Sequence, residues 1–257
     1  MRYEIRAMSF GEILDTGFQL LRNHFGLLVG MSLVLYAPIA LLSILLETSS
    51  QSGGVPSVPV ALFGMLPLGL TILIVAPIVS AANTYALGKL YLGERVEFGD
   101  AWQTAVSLML PLVGTSLLSM FAVGVGLLLL VVPGIYLMLA FILLWQVMVL
   151  ERLFGTAAMR RSHELMKGNK GRALGILFVS GVVIAVLSTA LQLLFSFVPL
   201  LGPIGSAAAQ AVGNVYTTAI SVVLYFDIRC RKEAFDLEHL ARLVQGRTGE
   251  AGSVPAP

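Results

Sequence analysis

Charged residues interrupt this chain at only a few places, leaving four uncharged runs at 23–46, 48–88, 101–150 and 173–226. A bilayer crossing takes ~20 apolar residues. The first run therefore holds one span, and the second holds one span after the irregular loop SSQSGGVPSVP. The last two are long enough for hairpins, with turns expected at Val132-Pro133-Gly134 and at 198–203, where Pro and Gly interrupt a helix at least cost. The pattern predicts an all-α, polytopic membrane protein with spans at about 25–46, 60–88, 106–131, 135–150, 173–197 and 204–226.

A shorter motif recurs ahead of the odd-numbered spans. Phe10-Gly11-Glu12, Phe98-Gly99-Asp100 and Phe154-Gly155-Thr156 each open about a dozen residues of mixed character before a long apolar run. In the first, Ile13, Leu14, Phe18, Leu20 and Leu21 alternate with Glu12, Asp15, Gln19 and Arg22, as in a helix lying along lipid headgroups. The six spans thus read as three hairpins, each preceded by a short interfacial helix and related as parallel repeats. After the last span, Asp227 and Arg231 stand four apart and can pair on one helix face. That helix is expected to continue through Phe235, Leu237, Leu240 and Leu243. A disordered tail follows at 245–257, leaving 1–244 as a single membrane domain.

Composition agrees: 57% of residues are hydrophobic and 12% charged, about half the usual charged share of soluble domains. The net charge of +2 says little, but the position of the charges says much. With six spans, all sixteen Lys and Arg fall on one side, and Glu47 is the only charge opposite. The positive-inside rule then puts both termini in the cytoplasm. The N-terminus has no small-residue cleavage site after its first apolar run, so that run is expected to be retained. Cys230 is the single cysteine and can form no internal disulfide.

Three sets of residues carry candidate chemistry. Gly205, Ala209 and Gly213 form a ridge of small side chains for close helix packing, so Gly213→Leu is expected to destabilise and Val223→Leu to be tolerated. Beside it, Gln210, Asn214 and Thr218 form a polar ridge that suits either interhelical hydrogen bonds or a substrate path. Arg160, Arg161, Lys167, Lys170 and Arg172 cluster within the stretch 151–172 and would attract anionic headgroups or an acidic partner, beyond setting topology. Catalysis finds little support. His24, His163 and His239 lack metal-ligand spacing, there is no Gly-rich phosphate loop, and Ser162-His163-Glu164 cannot act as a triad because adjacent helical residues diverge. No catalytic residue, cofactor, metal or nucleic-acid partner is expected.

MSFGEILDTGFQLLRNHF, ERLFGTAAMRRSHELMKGNKGR and LYFDIRCRKEAFDLEHLA together resemble the membrane domain of bacterial glycerophosphoryl diester phosphodiesterases and its stand-alone relatives. In the last piece Tyr225, Asp227, Arg229, Arg231, Glu233, Phe235, Asp236 and Leu237 match the usual pattern, while Ala234 replaces a usual Gly and would stiffen the helix. The resemblance implies a six-helix domain of the bacterial inner membrane, without the phosphodiesterase domain and with no catalytic residue to carry over. The expected function is a lipid-associated scaffold or partner-binding module that holds anionic phospholipid or a membrane or cytoplasmic protein. The alternative is a small transporter or permease subunit using the polar ridge.

Overall fold

Ser9 and Glu12 open the first helix by a reciprocal capping box: the Ser9 hydroxyl accepts from the Glu12 amide, and the Glu12 carboxylate accepts from the Ser9 amide. The computed structural model describes residues 3, 5–51, 76–196 and 201–238. Among them the helices are α1 (Phe10–Asn23), α2 (Phe25–Gln51), α3 (Ala76–Tyr91), α4 (Phe98–Ser107), α5 (Met109–Leu129), α6 (Val131–Ala140), α7 (Leu144–Leu150), α8 (Gly155–Met166), α9 (Lys170–Ser196) and α10 (Leu201–Glu233), with no strand. Each Phe-Gly motif begins a short helix, α1, α4 or α8. Each of these buries one face (Ile13, Gly17, Leu20 and Leu21 in α1) and leads directly into a long apolar helix.

Four stretches of the described residues are long and apolar enough to cross a membrane: Met109–Leu129, Val131–Leu150, Lys170–Leu194 and Ile204–Glu233. Helix α1 and Phe25–Leu41 of α2 pass that test only as a pair, bent by 85°. The expected spans 25–46 and 60–88 are described only in part, and the expected loop at 49–59, most of the turn at 198–203 and the tail at 245–257 lie outside the described residues.

Helix α10 is the hub. It packs against α1, α2, α3, α7, α8 and α9, and every residue from Ala219 to Ile228 is buried. Two glycines permit its closest approaches. A Cβ on Gly213 would stand 2.9 Å from Cγ2 of Ile184 in α9, and one on Gly17 of α1 would stand 2.8 Å from Cγ1 of Ile220. Gly205 and Ala209 of the same ridge are also buried. Val223 is fully buried, so Val223→Leu would have to fit an added methylene into packed core, a change that costs about 1–3 kcal/mol where neighbours cannot shift. Outer surfaces are apolar, as lipid contact requires; Leu110, Met120, Phe121 and Leu128 of α5 and Phe178 and Val186 of α9 are all exposed.

The turn between α5 and α6 falls on Leu130 alone, two residues before the expected Val132-Pro133-Gly134. Pro133 sits in the first turn of α6, where a missing N–H costs nothing. Gly134 lets the returning helix touch α5, since a Cβ there would lie 2.7 Å from the Leu127 nitrogen. The span breaks again at 141–143, between α6 and α7, and the Ser162 hydroxyl of α8 donates to the Ala140 carbonyl at 2.8 Å. Thr115 of α5 in turn accepts the Gly155 amide at 2.7 Å, capping α8 from outside its own sequence.

The helix after span six is interrupted once: α10 ends at Glu233, Ala234 takes a left-handed backbone with φ 51°, and residues 235–238 are helical again, while Leu240 and Leu243 lie outside the described residues. This reversal folds Phe235 back against Phe226, at a ring separation of 5.5 Å, and leaves Leu237 outside. Ala234 therefore does not stiffen a helix; it occupies a position that favours glycine. Ala234→Gly is expected to raise stability by about 1 kcal/mol, as relief of the left-handed strain outweighs the added freedom of the unfolded chain. Thermal unfolding in detergent checks this, and an unchanged or lower midpoint would contradict it.

Candidate functional site

The charged side chains meet at one end of the bundle, around the C-terminal half of α10. Two networks organise them. In the first, the fully buried Asp227 carboxylate accepts the Met8 amide at 2.7 Å and the Arg231 Nε at 3.1 Å, and lies 3.3 Å from Arg172. Both arginines also donate to the Met8 carbonyl. The N-terminal segment, the start of α9 and the end of α10 are thus tied to one carboxylate. The expected Asp227 and Arg231 pair is present and serves this clamp.

The second network is centred on Arg161. Its guanidinium donates to both Glu151 carboxylate oxygens, at 2.7 and 3.1 Å, and to both oxygens of Glu233, the longer bond at 3.0 Å. Tyr225 donates to Glu151 at 2.8 Å, and Arg229 donates to Glu233 at 2.9 Å while its guanidinium lies 4.3 Å from the Phe235 ring centre. Two forked arginine-carboxylate pairs fix orientation as well as charge. Bonds to Glu233 and then Glu151 push the Arg161 pKa further above its usual range, so it carries its charge at every working pH. Lys232 completes the join: its ammonium donates to the carbonyls of Glu164 and Lys167, at 2.7 and 2.6 Å, which close the C-terminal end of α8.

These networks divide the five candidate cations, Arg160, Arg161, Lys167, Lys170 and Arg172. Arg161 and Arg172 are committed internally. Lys170 turns inward, its ammonium over the Tyr136 ring. Arg160 is 83% exposed and pairs only with Glu164 one turn away, and the Lys167 side chain is exposed. Only these last two face outward, so the five do not form one headgroup-binding surface. On the polar ridge Gln210 is exposed, Thr218 donates back to the Asn214 carbonyl at 2.8 Å, and the Asn214 Oδ1 is buried without a protein partner. Asn83 of α3 donates to Ser32 of α2 at 2.9 Å, but its Oδ1 and the Gln146 Oε1 are likewise unpartnered.

Sequence reasoning missed the carboxylates. Glu151 was background to a basic stretch, and Glu233 entered only as a match within the motif carried by the resemblance. It also missed a stack of rings at the same end: Tyr3 lies on Tyr91 at 5.9 Å and Tyr91 on Phe226 at 5.0 Å. Beside this stack opens a cleft of about 270 Å³ between the ends of α3, α7 and α10, lined among others by Lys89, Glu94, Leu150, Arg152, Arg229 and Phe235. A second hollow of about 310 Å³, between the N-terminal segment and α1, is lined among others by Arg6, Glu12, Asp15 and Gln19.

A family model described as Domain of unknown function (DUF8558) matches residues 100–230, a stretch that runs from α4 into the end of α10 and includes Glu151, Arg161, Arg172 and Asp227. No curated protein and no solved structure matches the chain.

Proposed function

Because the chain belongs to the DUF8558 family, whose description carries no activity, we propose its function from geometry: a non-catalytic, six-span module of a bacterial inner membrane that holds anionic lipid or a partner protein at its cytoplasmic rim. The observation that carries this reading is the convergence of the described charged groups on one end of an otherwise apolar-faced bundle. A rim cross-linked by Asp227 and Arg161 is rigid, and rigidity suits recognition because little entropy is lost on binding. The resemblance to a phosphodiesterase-associated membrane domain supplies the bacterial setting. The one-sided placement of sixteen basic residues supports cytoplasmic termini, with the uncharged runs 23–46 and 48–88 each contributing one span.

The outward cations make the test specific. Arg160→Gln together with Lys167→Gln is expected to reduce co-purified phosphatidylglycerol, cardiolipin or acidic partner, each removed charge weakening attraction to an anionic surface by ~1 kcal/mol. Membrane insertion should be unaffected, since fourteen of the sixteen basic residues remain. Mass spectrometry of lipids and proteins retained by wild type and variant decides the matter. An identical inventory from both would leave the outward cations with topology as their only role.

The transporter reading keeps one observation in its favour, the unpartnered buried oxygens of Asn83, Gln146 and Asn214. Buried acceptors without protein partners call for water or a ligand. A wet path beside α10 would let Gln210→Cys and Asn214→Cys react with a water-soluble thiol reagent in a Cys230→Ser background. Protection of both would favour the module.

A further inference from the structure

We propose that the cleft between the ends of α3, α7 and α10 binds a phosphate-type anion through Arg152, Lys89 and Arg229, with an apolar substituent lodged against Leu150 and Phe235. This deepens the reading above, on which it rests, by assigning a site that none of the outward rim cations belongs to. Three cations and one carboxylate line the cleft, and the Glu233 carboxylate behind Arg229 is shared with Arg161, so positive charge stays in excess in a space with apolar walls. Field lines concentrate in such a recess, so an anion gains more there than on an open surface.

The three cations differ in how they are held, and the differences suit a binding site. Arg152 is exposed and makes no hydrogen bond, ion pair or ring contact with any described residue. Its backbone is left-handed, φ 54°, at the residue after the α7 cap, a position that favours glycine. That geometry ends α7 and turns the chain beside the cleft, as left-handed residues after a helix cap commonly do. Arg229 is the anchored member: Glu233 holds its Nε and the Phe235 ring holds its face, so the guanidinium is oriented before any ligand arrives. Lys89 pairs with Glu94 at 3.3 Å and lies 5.2 Å from the Tyr85 ring centre, both exposed contacts of the kind that are worth little. It is therefore free to turn toward an incoming anion. Arginine forks match phosphate oxygens in pairs, and lysine adds a mobile point charge.

Leu92, Val149 and Phe226 continue the apolar lining, so the site suits an amphiphile better than a bare ion. A phospholipid headgroup entering from the bilayer edge and a soluble phosphate ester share this chemistry, and two assays separate them. Purified full-length protein in neutral detergent is titrated with inorganic phosphate by calorimetry. The same preparation is exposed to mixed phosphatidylglycerol and phosphatidylcholine, and retained lipid is counted by native mass spectrometry.

Arg152→Gln, and independently Lys89→Gln, should weaken binding roughly fivefold in one of these assays. The assay that responds identifies the source. The double variant of Arg160 and Lys167 should leave phosphate affinity unchanged and, in the lipid assay, remove only the phosphatidylglycerol held by the outward rim cations. If Arg152→Gln and that double variant lose binding equally, attraction is diffuse and the cleft is not a site. Loss in the double variant alone overturns the cleft and leaves the rim reading standing. If wild type binds neither phosphate nor phosphatidylglycerol in preference to phosphatidylcholine, both fall.

Discussion

Asp227→Ala is expected to lower stability by about 3 kcal/mol, the larger part of what breaking a buried ion pair costs, because three donors lose one acceptor at once. The carboxylate is fully buried, while Arg172 and Arg231 remain 26% and 36% exposed, so water recovers some of their solvation. The Met8 amide has no such relief, and a stranded backbone donor adds to the cost. Asp227→Asn separates these parts. It keeps an oxygen for Met8 and loses only the charge, so its cost should be about half. The exposed Arg160 and Glu164 pair provides the reference, since Arg160→Ala should change stability by less than ~0.5 kcal/mol. Unfolding monitored by intrinsic fluorescence in one detergent orders the variants. If Asp227→Ala unfolds with Arg160→Ala, the carboxylate is not the tie that the geometry indicates.

Gly17→Leu should have a comparable effect through packing alone. A Cβ at this position would meet Ile220 Cγ1 at 2.8 Å and the Ile220 nitrogen at 3.4 Å. The side-chain atom could shift, but the backbone nitrogen belongs to the central helix and cannot move without it. Helix propensity favours replacing a mid-helix glycine by about 1 kcal/mol, whereas overpacking costs about 1–3 kcal/mol and more for a four-carbon side chain. The clash wins, and α1 should detach from α10 with a fall in midpoint of several degrees. Gly11→Leu in the same helix is the control, because nothing lies within 4 Å of its would-be Cβ. Equal midpoints for the two variants would mean that α1 does not rest on α10.

Much of this architecture was legible in the residues. The Phe-Gly motifs begin short amphipathic helices, and Gly213 marks a close helix crossing. Each of these is a local pattern, and local patterns survive folding when tertiary contacts agree with them. The failures came where a distant residue decided the outcome. No Pro or Gly announces the break at 141–143; what makes it tolerable is a hydroxyl from Ser162. Nothing near Arg161 shows that Glu233, seventy-two positions away, will occupy half its guanidinium. The five cations looked alike in sequence because formal charge does not distinguish a committed arginine from a free one. Arg152 belonged to the same stretch and was not singled out, since what sets it apart is its lack of partners and its place beside Lys89 and Arg229.

The position of α10 also dictates an order of assembly. The helix that contacts six others follows all of them in the chain and so leaves the ribosome after them. Until it arrives, α1 has no Ile220 to lie on, Arg172 has no Asp227, and Arg161 has only one of its two carboxylates. The earlier helices must therefore enter the bilayer without their shared partner, and the Met8 amide closes the structure across 219 residues only after Asp227 has been made. A nascent chain stalled before residue 227 would leave Arg172 without Asp227 and Arg161 without Glu233.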